Sequence, residues 1–528
     1  MSTATTVSRN PATGEIIGVS SVSSKEDVVR AIDRARLVQP EWAERSVRQR
    51  AAVIARVQRF ITTHADELAE LISKNTGKTI TEAMSTEVVP SAMAADYYAR
   101  VAPTLLKERA LKASSPFLAH KTSRIRRLPI GVVGVISPRN YPFAIPFSEV
   151  VLGLLAGNAV VLKTATQTQA VGRALERALR AEGLPPGVFS YVNLPGPQAG
   201  EAMLAGRVDK ILFTGSSHAG RQLLARAAET LTPVALRLGG NDPMLVCADA
   251  DVDRAVAGAL WAGMLNCGQS AGGVERIYVH RNVYQLFINL LAEQVQQLRV
   301  GWAEASDPSA FELDMGPMLD PSQAATVRGQ IRDALDRGAV IYGESEPPED
   351  ADPQGAYLPA TVLVNVDHSM RIMKEETFGP VVAVMRVESM DRAVELANDS
   401  ALGLTGSVWS RDRRHAEQLA HRIRAGVVMI NDHLMGHGLA EVPWGGVSGE
   451  SGLGRTHGEL GFDEVTVPQC IVRDTLPLAR RDLWWHPYGA EVYEGMHGIL
   501  DLLYGRQPGR RLSGLGRVAR LLPRTFVE

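Results

Sequence analysis

The stretch Leu265–Val279, LNCGQSAGGVERIYV, has the form of a nucleophile loop: a Gly-Gln pair, a short turn, then a run that reads as a strand. Covalent catalysis needs a side chain with a lone pair and a means of shedding its proton. Where a cysteine is expected stands Ala271, which has neither. The nearby substitutes are poor. Ser270 is adjacent, but a sequence neighbour points elsewhere and a hydroxyl needs a base. Cys267 lies four residues before Ala271, one turn away on a helix, and its simplest role is that of a small buried residue. Cys247 sits in an apparent strand and Cys470 near the end of the alternating pattern, and neither has the setting of a nucleophile. Gly268-Gln269 before Ala271 and Arg276 after it fix the register on both sides.

Such a loop needs a scaffold. The segments EDVVRAIDRARLVQPEWAE and RQRAAVIARVQRFITTHADELAELISKNTGK carry apolar residues at three- and four-residue spacing and read as two amphipathic helices, the second ending near Gly77. HKTSRIRRLPIG reads as an exposed, basic strand pair. GVVGVIS and NAVVLKT are β-branched runs of the kind found in buried parallel strands, with the helix QAVGRALERALRAEG after the second. FSYVNL, DKILFTG, PVALRLGG and DPMLVCADAD continue the alternation, and ERIYVH, GAVIYG, PVVAVMRV, GSVWS and GVVMIND repeat it in the second half. Strands alternating with helices predict βαβ units in parallel sheets covered on both faces, hence two α/β domains.

The chain has 528 residues, 45% hydrophobic and 22% charged, a globular composition long enough for several cores. A formal net charge of -2 gives no bias toward nucleic acid or membrane. Three cysteines argue against a disulfide framework and fit a reducing compartment. The polar start, MSTATTVSRNPATGE, lacks the apolar core of a secretory signal. The longest apolar run, VVLGLLAGNAVVL, is too short to span a bilayer. These features predict a soluble, cytoplasmic protein. From Leu476 the character changes: Arg506, Arg510, Arg511, Arg517, Arg520 and Arg524 cluster, with Leu512, Leu515, Val518 and Leu522 at helical spacing. That pattern fits a helix packed on its own domain with a solvated arginine face, or a basic amphipathic helix for a membrane surface or a protein partner.

An ordered series of phrases carries a resemblance: NPATGEIIG, GVVGVISPRNYPFAIP, AGNAVVLKT, ILFTGSSHAG, LRLGGNDPMLV, NCGQSAGGVERIYV, EETFGPVVAV and PWGGVSGESGLGR. From about Asn10 to Val472 the chain resembles the aldehyde dehydrogenase superfamily. The resemblance implies an α/β fold with a Rossmann-like dinucleotide-binding domain (1–110 and 130–238), a catalytic-type domain (239–459) and an oligomerisation hairpin (111–129 and 460–475), followed here by an extension over 476–528. It also implies a homodimer or homotetramer, with NAD or NADP as cofactor, no metal and no nucleic-acid partner.

Residue by residue, the cofactor positions implied are Ser137, Pro138, Lys163, Thr166, Gly200, Gly215, Ser216, Leu238, Glu376 and Phe378. Gly215 and Ser216 precede a helix, where small residues let backbone amides approach a pyrophosphate. Lys163 matches the lysine that holds the adenosine ribose, and Glu376 and Phe378 those that grip the nicotinamide ribose and ring. Thr166 stands where the family often has a glutamate that repels a 2′-phosphate, so NADP is tolerated as well as NAD.

The chemical positions depart from the family. Asn140 matches the oxyanion asparagine, but the aromatic expected before it is Arg139. The general-base glutamate expected before Leu238 is Arg237, which stays protonated. A cysteine-to-alanine replacement is a way to arrest such an enzyme, yet would leave Arg139 and Arg237 unexplained; three departures around one pocket point to divergence. Three readings follow: a degenerate family member that still binds a dinucleotide and has a structural or regulatory role; a repurposed oxidoreductase using a cationic pocket of Arg139, Arg237 and Asn140 without a thiol; and conventional aldehyde oxidation by an unforeseen nucleophile.

Overall fold

The computed structural model describes residues 4–352 and 355–526. The first three residues of the expected nucleotide-binding segment and the last two of the extension lie outside the described residues. The chain divides into two units, residues 1–107 with 128–467, and residues 108–127 with 468–528.

The larger unit opens with an antiparallel pair that the sequence reading did not anticipate, β1 (Thr5–Arg9) and β2 (Ile16–Ser21). Helix α1 (Lys25–Glu44) starts at a capping box on Ser24, where Asp27 returns the hydrogen bond. The second expected helix is two, α2 (Val47–Thr63) and α3 (Ala65–Thr76), because the chain turns at His64; Gly77 then ends α3 in the left-handed conformation, φ 78°. Short α4 (Ile80–Ala83) runs through a π turn into α5 (Val89–Leu105). The chain leaves for β3 (Arg109–Leu111) and most of β4 (Lys121–Pro129) and returns as β5 (Val132–Ile136).

From β5 the expected alternation is present: α6 (Ala144–Ala156), β6 (Ala159–Lys163), α7 (Gln169–Ala181), β7 (Phe189–Tyr191), α8 (Gly196–Ala205), β8 (Lys210–Thr214), α9 (Ser217–Ala227) and β9 (Val234–Arg237). These strands form a sheet of order β17-β9-β8-β5-β6-β7, in which β17 (Gly452–Leu453) is an antiparallel edge and the pairs from β9 to β7 are parallel. Strand residues alternate between faces. Val133 and Val135 of β5 enter the core made by α2, α5, α6 and α7, while Val132 and Ile136 enter the core made by α1, α8 and α9. Burial on both faces explains why β5 and β6 read as uninterrupted apolar runs.

The chain passes from β9 through Leu238-Gly239-Gly240 into a second sheet. It contains β10 (Asp242–Val246), α10 (Val252–Met264), β11 (Val274–His280), α11 (Arg281–Gln296), α12 (Pro321–Asp336), β12 (Val340–Glu344), β13 (Thr361–Val364), β14 (Val381–Val387), α13 (Met390–Asn398), β15 (Thr405–Trp409), α14 (Arg413–Ala420), β16 (Val427–Ile430) and α15 (Met435–Gly438). The order is β12-β13-β14-β11-β10-β15-β16, parallel except at β12. Short α16 (Gly458–Glu464) leads to β18 (Thr466–Asp474).

In the smaller unit HKTSRIRRLPIG is one strand, β4, not the expected pair; it lies between β18 and β3 in a three-stranded sheet. The tail forms two helices, α17 (Ala490–Tyr504) and α18 (Pro508–Leu521), packed against each other. No helix among the described residues is long and apolar enough to cross a membrane.

Candidate active site

In open parallel sheets, ligands bind beyond the carboxyl ends of the strands where the strand order reverses. Here that point lies between β5 and β8. The register aligns Lys163 with Ile136, Ile136 with Phe213, and Thr214 with Arg237 along this edge. The loops leaving it carry Ser137 and Pro138 after β5, and Gly215 and Ser216 after β8. Ser137 N–H donates to the Lys163 carbonyl at 2.9 Å, and its Oγ is buried without a partner among the described residues. Ser216 caps α9 by accepting from Ala219 N–H at 3.3 Å, and the Ser217 and His218 N–H groups have no hydrogen-bond partner among the described residues. Lys163 is buried beside Gly196 with no carboxylate against it, and desolvation lowers its amine to about 8. Thr166 is half-buried in the turn after β6.

Gly200 is on α8. It lies at the contact between α8 and α9, where a Cβ would meet Leu223 Cδ1 at 2.9 Å, so its smallness serves helix packing. Glu376 accepts from Gly240 N–H at 3.2 Å, and a side chain on Gly239 would collide with its carboxylate. Burial and the nearby Glu275 push the Glu376 carboxyl up to about 8. Phe378 is held at φ 51° by its N–H bond to Glu275 Oε1 at 2.8 Å. Glu275 also accepts from Thr377 N–H and from Asn241, so one buried carboxylate fixes the EETFGP turn against β11.

The loop around Ala271 is elaborately held. Asn266, Cys267 and Gly268 are consecutive left-handed residues, φ 56°, 55° and 68°, and a Cβ on Gly268 would fall on the Gly379 carbonyl. Left-handed non-glycine residues cost free energy and persist only when their surroundings over-determine them. Asn266 N–H donates to buried Glu82 at 2.6 Å, and Gln269 Oε1 accepts from Leu319 N–H at 3.0 Å. Asn140 Nδ2 donates to the Gln269 carbonyl at 2.9 Å, and the Asn140 carbonyl accepts from Asn266 and from Lys78. Lys78 and Glu87 form a fully buried ion pair, and Glu87 also takes the N–H groups of Phe143 and Ala144 at the start of α6. Ala271 N–H makes no hydrogen bond among the described residues. It lies two residues from the carbonyl that Asn140 holds, so an amide and an asparagine side chain remain near each other, the donor types an oxyanion hole uses.

No substitute nucleophile stands out. Cys267 is in the core with its thiol pushed well up by burial, and Cys247 is raised to about 12 for the same reason. A protonated buried thiol is inert. Cys470 is exposed on β18. Ser270 Oγ is hydrogen-bonded to Tyr141 OH, and burial raises that phenol, which keeps it protonated and leaves Ser270 without a base.

The two arginines do not build the expected cationic pocket with Asn140. Arg237, 4% exposed, is ion-paired with buried Glu149 of α6, and both contact Thr214 Oγ1. Arg139 is ion-paired with Asp320, the residue that caps α12. Each positive charge is neutralised and directed by a carboxylate, so neither offers a free cation to a substrate.

Three imidazoles escaped the sequence reading. His433 is buried, 2.7 Å from Ser407 Oγ and 3.1 Å from the Gly272 carbonyl. His437 on α15 and His457 have ring centroids 5.5 Å apart, and His437 also packs on Trp444 and Tyr141. Their Nδ1 atoms are buried without partners among the described residues. Trp444 packs with Ala271 and against Gly272, so this cluster lies beside the nucleophile loop. Burial, aided by Arg237, lowers His437 to about 4, and burial with the neighbouring His437 and Arg237 holds His457 well below the ordinary imidazole value, which leaves both neutral at pH 7.

Comparison with known proteins agrees with this architecture. The Aldehyde dehydrogenase family profile matches residues 1–471, and the chain belongs to that family. It is 37% identical over 506 residues to the 4,4'-diapolycopene aldehyde oxidase of Methylomonas sp, covering 95% of this chain and 92% of the relative. Its fold is similar to succinic semialdehyde dehydrogenase from Streptococcus pyogenes in complex with NADP+ (TM-score 0.81, 28% identity, 88% of this chain and 99% of that one). It is likewise similar to betaine aldehyde dehydrogenase from Staphylococcus aureus in complex with NAD+ (TM-score 0.83, 30% identity, 92% and 96%).

Proposed function

We propose that this chain binds NAD or NADP beyond β5 and β8 and does not run the thiol-dependent oxidation of aldehydes, acting in a structural or regulatory role as a homodimer or homotetramer. The observation that carries the reading is that a strained, densely hydrogen-bonded loop presents Ala271, a side chain with no chemistry.

The residues fit a dinucleotide. Lys163 without a counter-charge, the orphaned Ser137 Oγ and the open α9 N-terminus meet at one sheet edge and suit a polyanionic, hydroxyl-rich ligand. Lys163 would hold the adenosine ribose, Gly215 and Ser216 the pyrophosphate, and Glu376 with Phe378 the nicotinamide end, next to Leu238. Thr166 brings no negative charge against a 2′-phosphate, which favours acceptance of NADP. The group would supply a hydride acceptor or donor. Asn140 and the Ala271 amide would orient a carbonyl oxygen, but no thiolate can attack its carbon, and Arg237 cannot take a proton. The test is NAD(P)H formation by the purified protein across a broad aldehyde panel. No aldehyde-dependent rate is expected; sustained turnover that Cys267→Ser abolishes would overturn the reading.

A second reading rests on the neutral His437–His457 pair beside the loop. A neutral imidazole can accept a proton from a hydrated carbonyl, so a hydride reaction without a thiol has a base available. Loss of an NAD(P)-dependent activity in His437→Ala, with nucleotide affinity unchanged, would favour it; activity indifferent to that change would exclude it.

A further inference from the structure

Helix α18 has two apolar faces, and only one is used. Gly514, Val518 and Leu521 are buried against α17. The approach is close: a Cβ on Gly514 would lie 2.6 Å from the Gly498 carbonyl. Leu512 and Leu515 of α18 and Leu522, the residue that caps its end, are also spaced for one helix face and are 72%, 50% and 47% exposed. They add nothing to the hairpin core, although their periodicity is that of a buried stripe.

The charge around this stripe has one sign. From Arg506 to Phe526 there are six arginines and no aspartate or glutamate. Packing within the hairpin accounts for two, since buried Asp501 ion-pairs with Arg510 and Arg517. Arg506, Arg511 and Arg520 are exposed with no carboxylate at ion-pair distance among the described residues. On α18, Arg511 and Arg520 flank the leucine stripe on opposite sides when their positions are laid out at helical spacing. Tyr493 and Tyr504 on α17 are more than two-thirds exposed. Exposed leucines flanked by arginines, with tyrosines nearby, are the composition of a helix lying in a bilayer interface. Neither helix can span one.

We propose that α18 docks on an anionic membrane surface, seating Leu512, Leu515 and Leu522 among the acyl chains while Arg511 and Arg520 reach the lipid phosphates. Charge complementarity favours this occupant over a second copy of the chain, because two such arginine-rich faces would repel.

The experiment is co-sedimentation of the full-length protein with vesicles of phosphatidylglycerol and phosphatidylcholine, against phosphatidylcholine alone. Binding to the anionic vesicles only is expected, weakening as salt is raised. Arg511→Ser and Arg520→Ser should each lower partitioning about fivefold. Leu512→Ser with Leu515→Ser should abolish it without lowering the unfolding midpoint, since both side chains are exposed. Absence of binding at low salt would overturn the proposal. So would binding that the leucine variants do not change, or self-association that the same variants abolish without any vesicle binding.

Discussion

The Arg237–Glu149 pair allows a quantitative test. Both side chains are at most 5% exposed, so each ion depends on the other for solvation. Removing one partner from a buried pair costs about 3–5 kcal/mol, because the other charge stays buried, whereas replacing both by apolar residues is close to neutral. Arg237→Ala should therefore destabilise by about 3–5 kcal/mol, Glu149→Leu by a similar amount, and the double variant Glu149→Leu/Arg237→Leu by about 1 kcal/mol or less. Arg237→Glu, which would place a carboxylate where the proposed reading expects the family's base, is worse. Two like charges about 4 Å apart at an effective dielectric of 20 repel by about 4 kcal/mol, in addition to the lost attraction. Reviving the chemistry with Ala271→Cys and Arg237→Glu thus requires Glu149→Gln as well; without it the protein should be recovered poorly. Urea unfolding midpoints of the single and double variants give the coupling energy directly. A cost below about 1 kcal/mol for Arg237→Ala would show that the pair is solvated and would refute the reasoning.

Other consequences can be measured on the same protein. His433, lowered to about 3, and His457, held well below the ordinary imidazole value by burial, are neutral in the fold and protonate readily once unfolded. The unfolded chain then binds more protons, so their stability contribution is complete above about pH 6.5 and is lost as pH falls toward 4, by up to about 1.4 kcal/mol per pH unit for each imidazole. Asp242 and Glu376, raised in the fold, act in the opposite sense, so the informative quantity is the slope difference between the protein and His457→Gln; an unchanged slope contradicts the burial argument. Lys163, lowered to about 8, loses its charge above that pH, so NADP affinity should fall roughly tenfold between pH 7 and 9 and lose that dependence in Lys163→Met. Thr166→Glu should weaken NADP roughly tenfold relative to NAD in competitive titrations; equal effects on both would place the 2′-phosphate elsewhere.

The α/β scaffold was legible because buried parallel strands announce themselves as valine-rich runs and the helices between them keep a clear period. What was missed has physical reasons. β1, β2 and β13 are short or lie at edges, and β17 has two residues, too few to show any alternation. The segment of β4 read as a strand pair because its exposed alternation does not reveal that its partners lie elsewhere in the chain. At the site, the unusual residues could be named from local phrases, but their electrostatic meaning could not. The Glu149 partner of Arg237 is 88 residues away and the Asp320 partner of Arg139 is 181 away, so an apparent cationic pocket is two neutralised pairs. Glu275 carried a usable signal, a carboxylate beside Arg276 at the start of a strand that is buried almost throughout. His437 and His457 sit in glycine-rich segments without period, where nothing in the spacing indicates burial. The tail was read as a choice between one packed face and one membrane face; α18 buries one apolar face and leaves a second exposed.

The central claim is that a dinucleotide site is maintained around a position with no nucleophile. Calorimetric titration of the purified protein with NAD and with NADP tests it most directly. Micromolar binding, with NADP accepted and Lys163→Met markedly weaker, is the predicted result. Absence of heat with either nucleotide would contradict the account and leave Lys163, Gly215, Ser216 and Glu376 as relics of an ancestral site.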